Sequence, residues 1–427
     1  MRHGRFALAM LCYASLTLGG CAVWPKSYGG PPCCTPKKVV VHKQPVSWHL
    51  FDVTVLSQLE RGLDLIRIGR RLFGTPVRAF NLHHGEVADS TFFTNRAPES
   101  LTPEAVRWGP TRPQDLAHAP FVVTKPKVEG VTPGFFVTDA RGIRYLLKLD
   151  PVNAPELLSG AEAVTSKLVY ALGYHVPSYE IVTVRLADLH IGPGIAVKDA
   201  EGHLHPFTDE NLQQVLASRA HDGALRVVAS KILEGDLLGP ARFKKFRDCA
   251  EMRALQVVFA WVNNIDTKDH QTLLVWDGTK TVGYLFDFGT SLGADAGRGG
   301  PKGPCAGLTY IVDLKEDALE LLTLGLYHPR CDWENQPVDR SIGRLSPHVN
   351  PLTWKPYAPN LAFEEMDERD AQWIARRMAR LSHAQIEAAI SAGQYSNPAD
   401  AAYLVEVLEQ RRQEILHHIL DKEKPRV

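Results

Sequence analysis

The chain has 427 residues, 44% hydrophobic and 22% charged, which excludes a disordered or disulfide-framework protein and supplies material for two or three cores. Its 48 Lys and Arg balance 48 Asp and Glu, so no global field gathers a polyanion and nucleic acid is not an expected partner. The 7 cysteines show neither CxxC nor HExxH spacing, which leaves a structural zinc or a zincin site without support.

Arg2 and Arg5 precede an apolar run from Phe6 to Leu18, the order of a bacterial export signal. The run is shorter than the roughly twenty residues that a permanent spanning helix needs. Leu18-Gly19-Gly20-Cys21 resembles a lipobox, in which small residues enter a peptidase cleft and the Cys21 thiol accepts a lipid. This gives the expectation of a signal over 1–21 and a lipid anchor at Cys21, holding the protein on the periplasmic side of the bacterial envelope, at the outer membrane. Residues 22–47, with Pro25, Pro31, Pro32, Pro36 and Pro45, read as a tether. Cys33 and Cys34 are adjacent and would be strained as a pair, while Cys249, Cys305 and Cys331 could pair in an oxidising compartment with connectivity left open.

The body reads as α+β. Val55, Leu56, Leu59, Leu63, Ile66 and Leu72 stand near helical spacing and predict an N-terminal helix from Trp48 to about Phe73, stopped by Gly74-Thr75-Pro76. Residues 81–120 read as loop, with His83 and His84 an exposed pair. FVVTKPKVEG and GFFVTDARGIRYLLKLD then read as a hairpin turning at Asp139–Gly142. Ser159 is expected to cap a helix to about Leu172 with Ala161, Val164, Leu168 and Ala171 on its buried face and Gly173 as its stop. SYEIVTVRL is a further strand. Residues 190–225 are an insertion with a short helix at DENLQQVLASRA, and RVVASKILEG returns to the sheet. A helix over Asp248–Val262 leads to TLLVW and TVGYLF, paired through Asp277-Gly278. Helices follow near 368–380, 383–392 and 398–419. Trp48, Trp108, Trp261, Trp333, Trp354 and Trp373 follow no pattern and read as packing. A β-rich half before a helical half predicts two lobes: an extension over 48–120, a β-rich lobe over 121–238 and a helical lobe over 239–427.

Four features fall in one order. A glycine-bearing turn runs from Gly130 to Gly134, Lys148 lies inside the next strand, Glu162 lies on the following helix, and two acidic loops carry Asp266 and Asp287-Phe288-Gly289. These are the parts of a phosphoryl-transfer site. A strand lysine offsets the charge of a phosphoryl group in flight, and a helix glutamate holds that lysine. An aspartate ending the apolar strand YLFDFG presents oxygen to a hard magnesium ion, and an aspartate on the preceding loop accepts a hydroxyl proton.

On these residues the chain resembles the protein-kinase-like superfamily, in particular its atypical bacterial branch of HipA-type and spore-coat CotH-type kinases. It is more closely similar to bacterial lipoproteins carrying versions of GVTPGF, YLLKLDP, GAEAVTSKLVYALGY and LFDFGTSLG. The resemblance implies a two-lobed protein-kinase-like fold with an N-terminal helical extension, and ATP and Mg2+ as ligands. It implies Lys148, Gly130 and Gly134 at the nucleotide, Glu162 paired with Lys148, Asp266 as the catalytic aspartate, Lys268 beside the phosphate, and Asp287 on the metal. Gln271 stands where the family pattern has a metal-binding asparagine, one methylene longer. The implied partners are a nucleotide, an acceptor or protein partner, and a membrane through the lipid anchor.

Two other readings use the same residues. A kinase-shaped envelope protein could bind without turnover, given Gln271. Gly289-Thr290-Ser291-Leu292-Gly293 also fits the GxSxG elbow of a serine hydrolase, with Asp313 or Asp332 and His348 downstream, although the glycine-rich chain after it is a poor helix start. Residues 294–307 read instead as a mobile segment bringing Arg298 and Lys302 near phosphates.

Overall fold

A computed structural model describes residues 51–56, 59, 63–127, 132–198, 203–328 and 331–421. The signal, the tether, Cys21, Cys33, Cys34, Trp48 and Gly130 lie outside the described residues. Among those described, no helix is long and apolar enough to cross a membrane.

Alternating apolar residues build the sheet lobe. Strands β1 (Phe121–Pro126), β2 (Gly134–Thr138), β3 (Arg144–Leu149), β4 (Tyr179–Arg185), β5 (Leu189–Ile191) and β6 (Ala224–Lys231) form one six-stranded sheet in the order β4-β6-β3-β2-β1-β5. All neighbours are antiparallel except β1 and β5. Val123, Tyr145, Leu147, Leu149, Leu225 and Val227 face one side and close a small core with Phe207, Leu212 and Leu216. Leu212 and Leu216 belong to the helix Asp209–Ala217 of the 190–225 insertion. The opposite face turns Tyr179, Ile181 and Val228 toward the helical lobe.

Helix α1 (Leu65–Leu72) departs from the amphipathic expectation. Leu65 and Leu72 are 72% and 79% exposed, and the helix is held instead by Arg67, which pairs with Asp248 at 3.0 Å and Glu365 at 2.8 Å. The helix α2 (Pro103–Trp108) is capped by Thr102. Helix α3 (Leu157–Ala171) buries every residue except Tyr170, because it is wedged between sheet and helical lobe rather than laid on one of them. Its small side chains permit that: a Cβ on Gly160 would stand 2.5 Å from the Tyr395 hydroxyl. The expected Ser159 cap is corrected. Asp150 accepts from the Leu158 and Ser159 amides at 3.0 and 2.8 Å, so the helix starts earlier and Ser159 donates its hydroxyl to Asp150. Gly173 ends it at φ +112°, as expected.

The insertion contributes β5 and α4 (Asp209–Ala217), the latter stopping short of the expected Ala220. Strand β7 (Asp236–Gly239) pairs with the hairpin β8 (Thr272–Trp276) and β9 (Thr281–Leu285). Helix α5 (Ala250–Val262) is buried along its whole length as the axis of the helical lobe. A helix at Leu314–Leu322, α6, went unforeseen; α7 (Glu368–Ala379), α8 (His383–Ser391) and α9 (Pro398–Leu420) match expectation and are capped by Asp367, Ser382 and Asn397.

The 81–120 segment is more than loop. His83 and His84 are exposed on a two-residue hairpin, but Phe92, Phe93 and Val106 are fully buried with α3 and α5. Asn81 accepts from the Ala250 amide at 2.8 Å and donates to Glu251 at 2.6 Å, while Ser90 donates to Glu251 at 2.7 Å, which satisfies a buried carboxylate. Trp261, Trp354 and Trp373 pack inside as expected, whereas Trp333 is 68% exposed.

His175 joins this segment to the β8–β9 hairpin, its Nδ1 lying 3.2 Å from the Thr91 carbonyl and 3.3 Å from that of Gly283. Burial, with the Arg96 charge adding, depresses its pKa to about 4. A depressed histidine contributes stability that is complete above its unfolded value and lost as pH falls through the folded one. His175 should therefore contribute a loss of roughly 2 kcal/mol between pH 7 and 4 to urea unfolding, read as the change with pH in the difference between wild type and His175→Gln; a difference that stays constant across that range would remove His175 from the account.

Candidate functional site

Strand β3 alternates, so Leu147 and Leu149 enter the small core and Lys148 points the other way, toward α3 and the loop carrying Asp287. Gly134 sits opposite Lys148 in the ladder. A Cβ there would lie 2.4 Å from the Leu147 carbonyl oxygen, so Gly134 is required for close strand approach beneath the lysine.

Lys148 is 6% exposed and Glu162, from α3, is 2% exposed. The ammonium donates to Glu162 Oε1 and, at 2.7 Å, to Asp287 Oδ1. Asp287 holds a left-handed backbone, φ 64°, and its amide donates to the Tyr179 hydroxyl at 3.1 Å. Phe288, 1% exposed, packs edge-on to Tyr179, and the missing side chain of Gly289 lets the loop pass Glu162. Three elements thus converge on one lysine.

Asp266 follows α5, whose left-handed Asn263 ends the helix. Its Oδ2 receives Lys268 at 2.9 Å and the Gln271 amide at 2.6 Å. The Asp266 and Asp287 loops are tied together: Phe286 donates to the Gln271 carbonyl at 3.1 Å, and the Thr290 hydroxyl donates to Asn264 at 2.8 Å.

Burial opposes the charge on Lys148, but Asp287 and Glu162 outweigh it and hold the ammonium above its ordinary pKa. Burial likewise opposes the Asp287 carboxylate, and the Lys148 charge overrides it, bringing the group down to about 2. Burial carries Glu162 up to about 7 against the pull of Lys148, with Asp287 adding to the rise. Asp266 is also raised by burial, against Lys268. One lysine therefore faces two carboxylates, and buried acceptors are left over: Glu162 Oε2 and Gln271 Oε1 have no hydrogen-bond partner.

Among the described residues no group of three or more His, Cys, Asp or Glu could hold a metal ion. The donor set still fits magnesium, which takes oxygen ligands, usually one or two carboxylates completed by water and phosphate. Asp287 and the unpaired Gln271 oxygen are such donors.

Lys148, Glu162 and Asp287 form one cluster, and Asp266, Lys268 and Gln271 form the adjoining one. Lys302 and Arg298 do not join them. Lys302 is 3% exposed and donates to the Asn263 and Leu292 carbonyls, and Arg298 turns outward beside Asp295. The 294–307 segment is held by a short Ala294–Asp295/Gly300–Pro301 ladder and by a Cys305–Cys331 disulfide, which settles the cysteine pairing left open above; Cys249 is free and buried. The GxSxG reading is overturned: Ser291 is completely buried, no helix follows it, and the His348 side chain is 83% exposed beside Glu414. Two residues were missed. Tyr179 orients Asp287, and Lys127, whose charge reaches Asp287, donates to the Thr132 carbonyl at 2.9 Å. Tyr179 reads as an ordinary strand aromatic, but a lysine at the mouth of a glycine-bearing turn was a usable signal.

A β-rich lobe and a helical lobe, with a strand lysine and a helix glutamate paired between them, make a protein-kinase-like fold. No protein-family model matches the sequence, and no curated protein matches it. Among solved structures, the crystal structure of a Helicobacter pylori proinflammatory kinase, CtkA, aligns with a TM-score of 0.37 at 12% identity, covering 72% of this chain and 96% of that chain. The crystal structure of the Golgi casein kinase aligns with a TM-score of 0.36 at 8% identity, covering 94% of each chain. Likenesses this distant add nothing to the site, which stands on its own geometry.

Removing the central charge has a signed consequence. Lys148→Met should cost about 3–5 kcal/mol at pH 7, since it leaves Glu162 and Asp287 facing each other. Their pKa values would then both lie above the unfolded ones, so the variant should regain stability as pH falls from 7 toward 4. Chemical denaturation of variant and wild type side by side measures it; a deficit that fails to shrink as pH falls would contradict the arrangement.

Proposed function

We propose that the protein is a lipid-anchored phosphotransferase of the bacterial envelope that binds a magnesium nucleotide between its lobes and passes a phosphoryl group to an acceptor hydroxyl. The supporting observation is Lys148 held between Glu162 and Asp287, with Asp266 on the neighbouring loop. On this reading the relationship is to the atypical bacterial kinase-like branch and its lipoproteins. Cys21 carries the lipid and the periplasmic face of the outer membrane is the location. The Cys305–Cys331 bond favours such an oxidising compartment.

Lys148 and Gly134 meet the nucleotide phosphates, and Glu162 keeps the lysine from swinging away. Magnesium would be held by Asp287 and the Gln271 amide oxygen, and when bound it neutralises phosphate charge. Lys268 faces the transferred group. Asp266 is fixed through Oδ2, so Oδ1 takes the proton of the acceptor hydroxyl as its oxygen bonds to phosphorus and the bond to the nucleotide's bridging oxygen breaks. A raised carboxylate pKa favours that proton transfer.

A binding-only protein is the second reading, and one observation favours it: Gln271 and Lys268 both already engage the oxygen that would otherwise help position substrate. Calorimetry of the mature chain with ATP and magnesium should give binding that Asp287→Asn abolishes and Lys148→Ala weakens roughly tenfold or more. Phosphate release or autophosphorylation should fall by about 100-fold or more in Asp266→Asn. Binding without any Asp266-dependent turnover would select the second reading, and no heat under any metal condition would remove both. Separately, Cys21→Ser should move the protein from the membrane to the soluble fraction; unchanged fractionation would sink the anchor.

A further inference from the structure

A cavity of about 620 Å3 opens in the helical lobe near the C-terminal end of α5, and Lys148, Glu162, Asp266 and Asp287 take no part in its lining. Its lining includes Lys302, Arg344 and Arg411. Lys302 and Arg411 are 3% and 2% exposed. Their charges are solvated by backbone carbonyls: Lys302 by Asn263 and Leu292, Arg411 by Trp261 at 2.7 Å, Ala260 at 2.5 Å and Ser346. Arg344 donates from Nη1 to the Asp332 and Asn335 carbonyls, and its buried Nε has no hydrogen-bond partner.

Among the described residues no ion pair joins any of the three to a carboxylate. Carbonyl dipoles soften a buried charge without cancelling it, and unpaired buried cations are costly. Burial pushes Lys302 well below its ordinary pKa, with Asp295 opposing and the Arg411 charge adding, so the two cations feel each other. Arg411, brought down to about 9 by burial, remains charged at neutral pH.

The acids that line the same cavity sit differently. Asp332 is half-buried and accepts from the Asn335 amide at 3.1 Å, Glu334 is exposed, and the Glu414 side chain is 39% exposed, lying 3.6 Å from His348 and 3.7 Å from His418. Lys302 and Arg411 are thus the deeply buried part of the lining, and Glu334 and Glu414 the part most open to solvent. The size is that of a small-molecule site, and a few convergent polar groups in such a hollow are the usual mark of one.

We propose that this cavity binds a small zwitterion, whose phosphate or carboxylate head reaches Lys302, Arg344 and Arg411 while an amine at its other end meets Glu414 and its neighbours. The site is separate from the nucleotide cleft, although Asn263, which accepts from Lys302, also begins the loop to Asp266.

Calorimetric titration of the mature chain with inorganic phosphate and with phosphoethanolamine tests it. Phosphoethanolamine should bind with a Kd below about 1 mM and roughly fivefold or more tighter than phosphate. Arg344→Gln, at a half-buried position, should weaken both roughly tenfold, and Glu414→Gln should erase the preference between them while leaving phosphate bound. Asp287→Asn should leave both titrations unchanged, so a failure of nucleotide binding and a failure of this site are separable. No heat with either probe at about 10 mM would overturn the proposal, as would equal affinities in the wild type. Binding that survives Arg344→Gln but is lost in Asp287→Asn would return the anion to the cleft.

Discussion

The molecule is organised around a lysine that cannot be buried alone. Lys148 is nearly inaccessible, and a charge in that position is tolerated only where oppositely charged oxygens surround it. Those oxygens come from α3 and from the loop after β9, elements far apart in the chain. Sheet, helix and loop must therefore be in place together, and the position of each is set by the same three charged groups.

Much of the remaining architecture secures that convergence. Gly134 lets β2 close on β3 behind the lysine, Asp150 fixes where α3 begins, and Gly173 and Phe93 decide how it ends. Tyr179 holds the Asp287 amide from the sheet side. In the helical lobe, Arg411 takes the last carbonyls of α5, where an uncompensated helix terminus would otherwise lie buried, and so places the loop that carries Asp266. The buried pairs are poor stabilisers in themselves, since desolvation offsets most of their attraction. What they supply is a single geometry, with acceptor oxygens at Glu162 and Gln271 left unfilled.

Elements with a local signature were legible in advance. The three C-terminal helices stand where they were expected, near 368–380, 383–392 and 398–419, each started by a local cap that the structure shows at Asp367, Ser382 and Asn397, and the hairpin after Asp266 turns at Asp277-Gly278 as expected. The same approach missed α6 despite Asp313 at its cap, and it misjudged α1, whose leucines are solvent-exposed while Arg67 does the anchoring. It gave α3 one buried face because periodicity assumes a helix with a wet side; a helix clasped by two lobes has none. Lys302 was expected near phosphates on a mobile segment, because a lysine in a glycine-rich stretch gives no local sign that it will be buried against the Asn263 and Leu292 carbonyls.

By itself the sequence determined the order of elements and the presence of Lys148, Glu162, Asp266 and Asp287 on a strand, a helix and two loops. Hydrogen bonding and apolar periodicity act within a few residues, so those features are written locally. Only the tertiary structure decided that Lys148, Glu162 and Asp287 meet with Asp266 in the adjoining cluster, that Ser291 is sealed from solvent, that Cys305 meets Cys331, and that Lys302 joins Arg344 and Arg411 around a cavity. Each of these depends on contacts between residues distant in the chain, and on how much water remains between them, and neither is encoded in spacing.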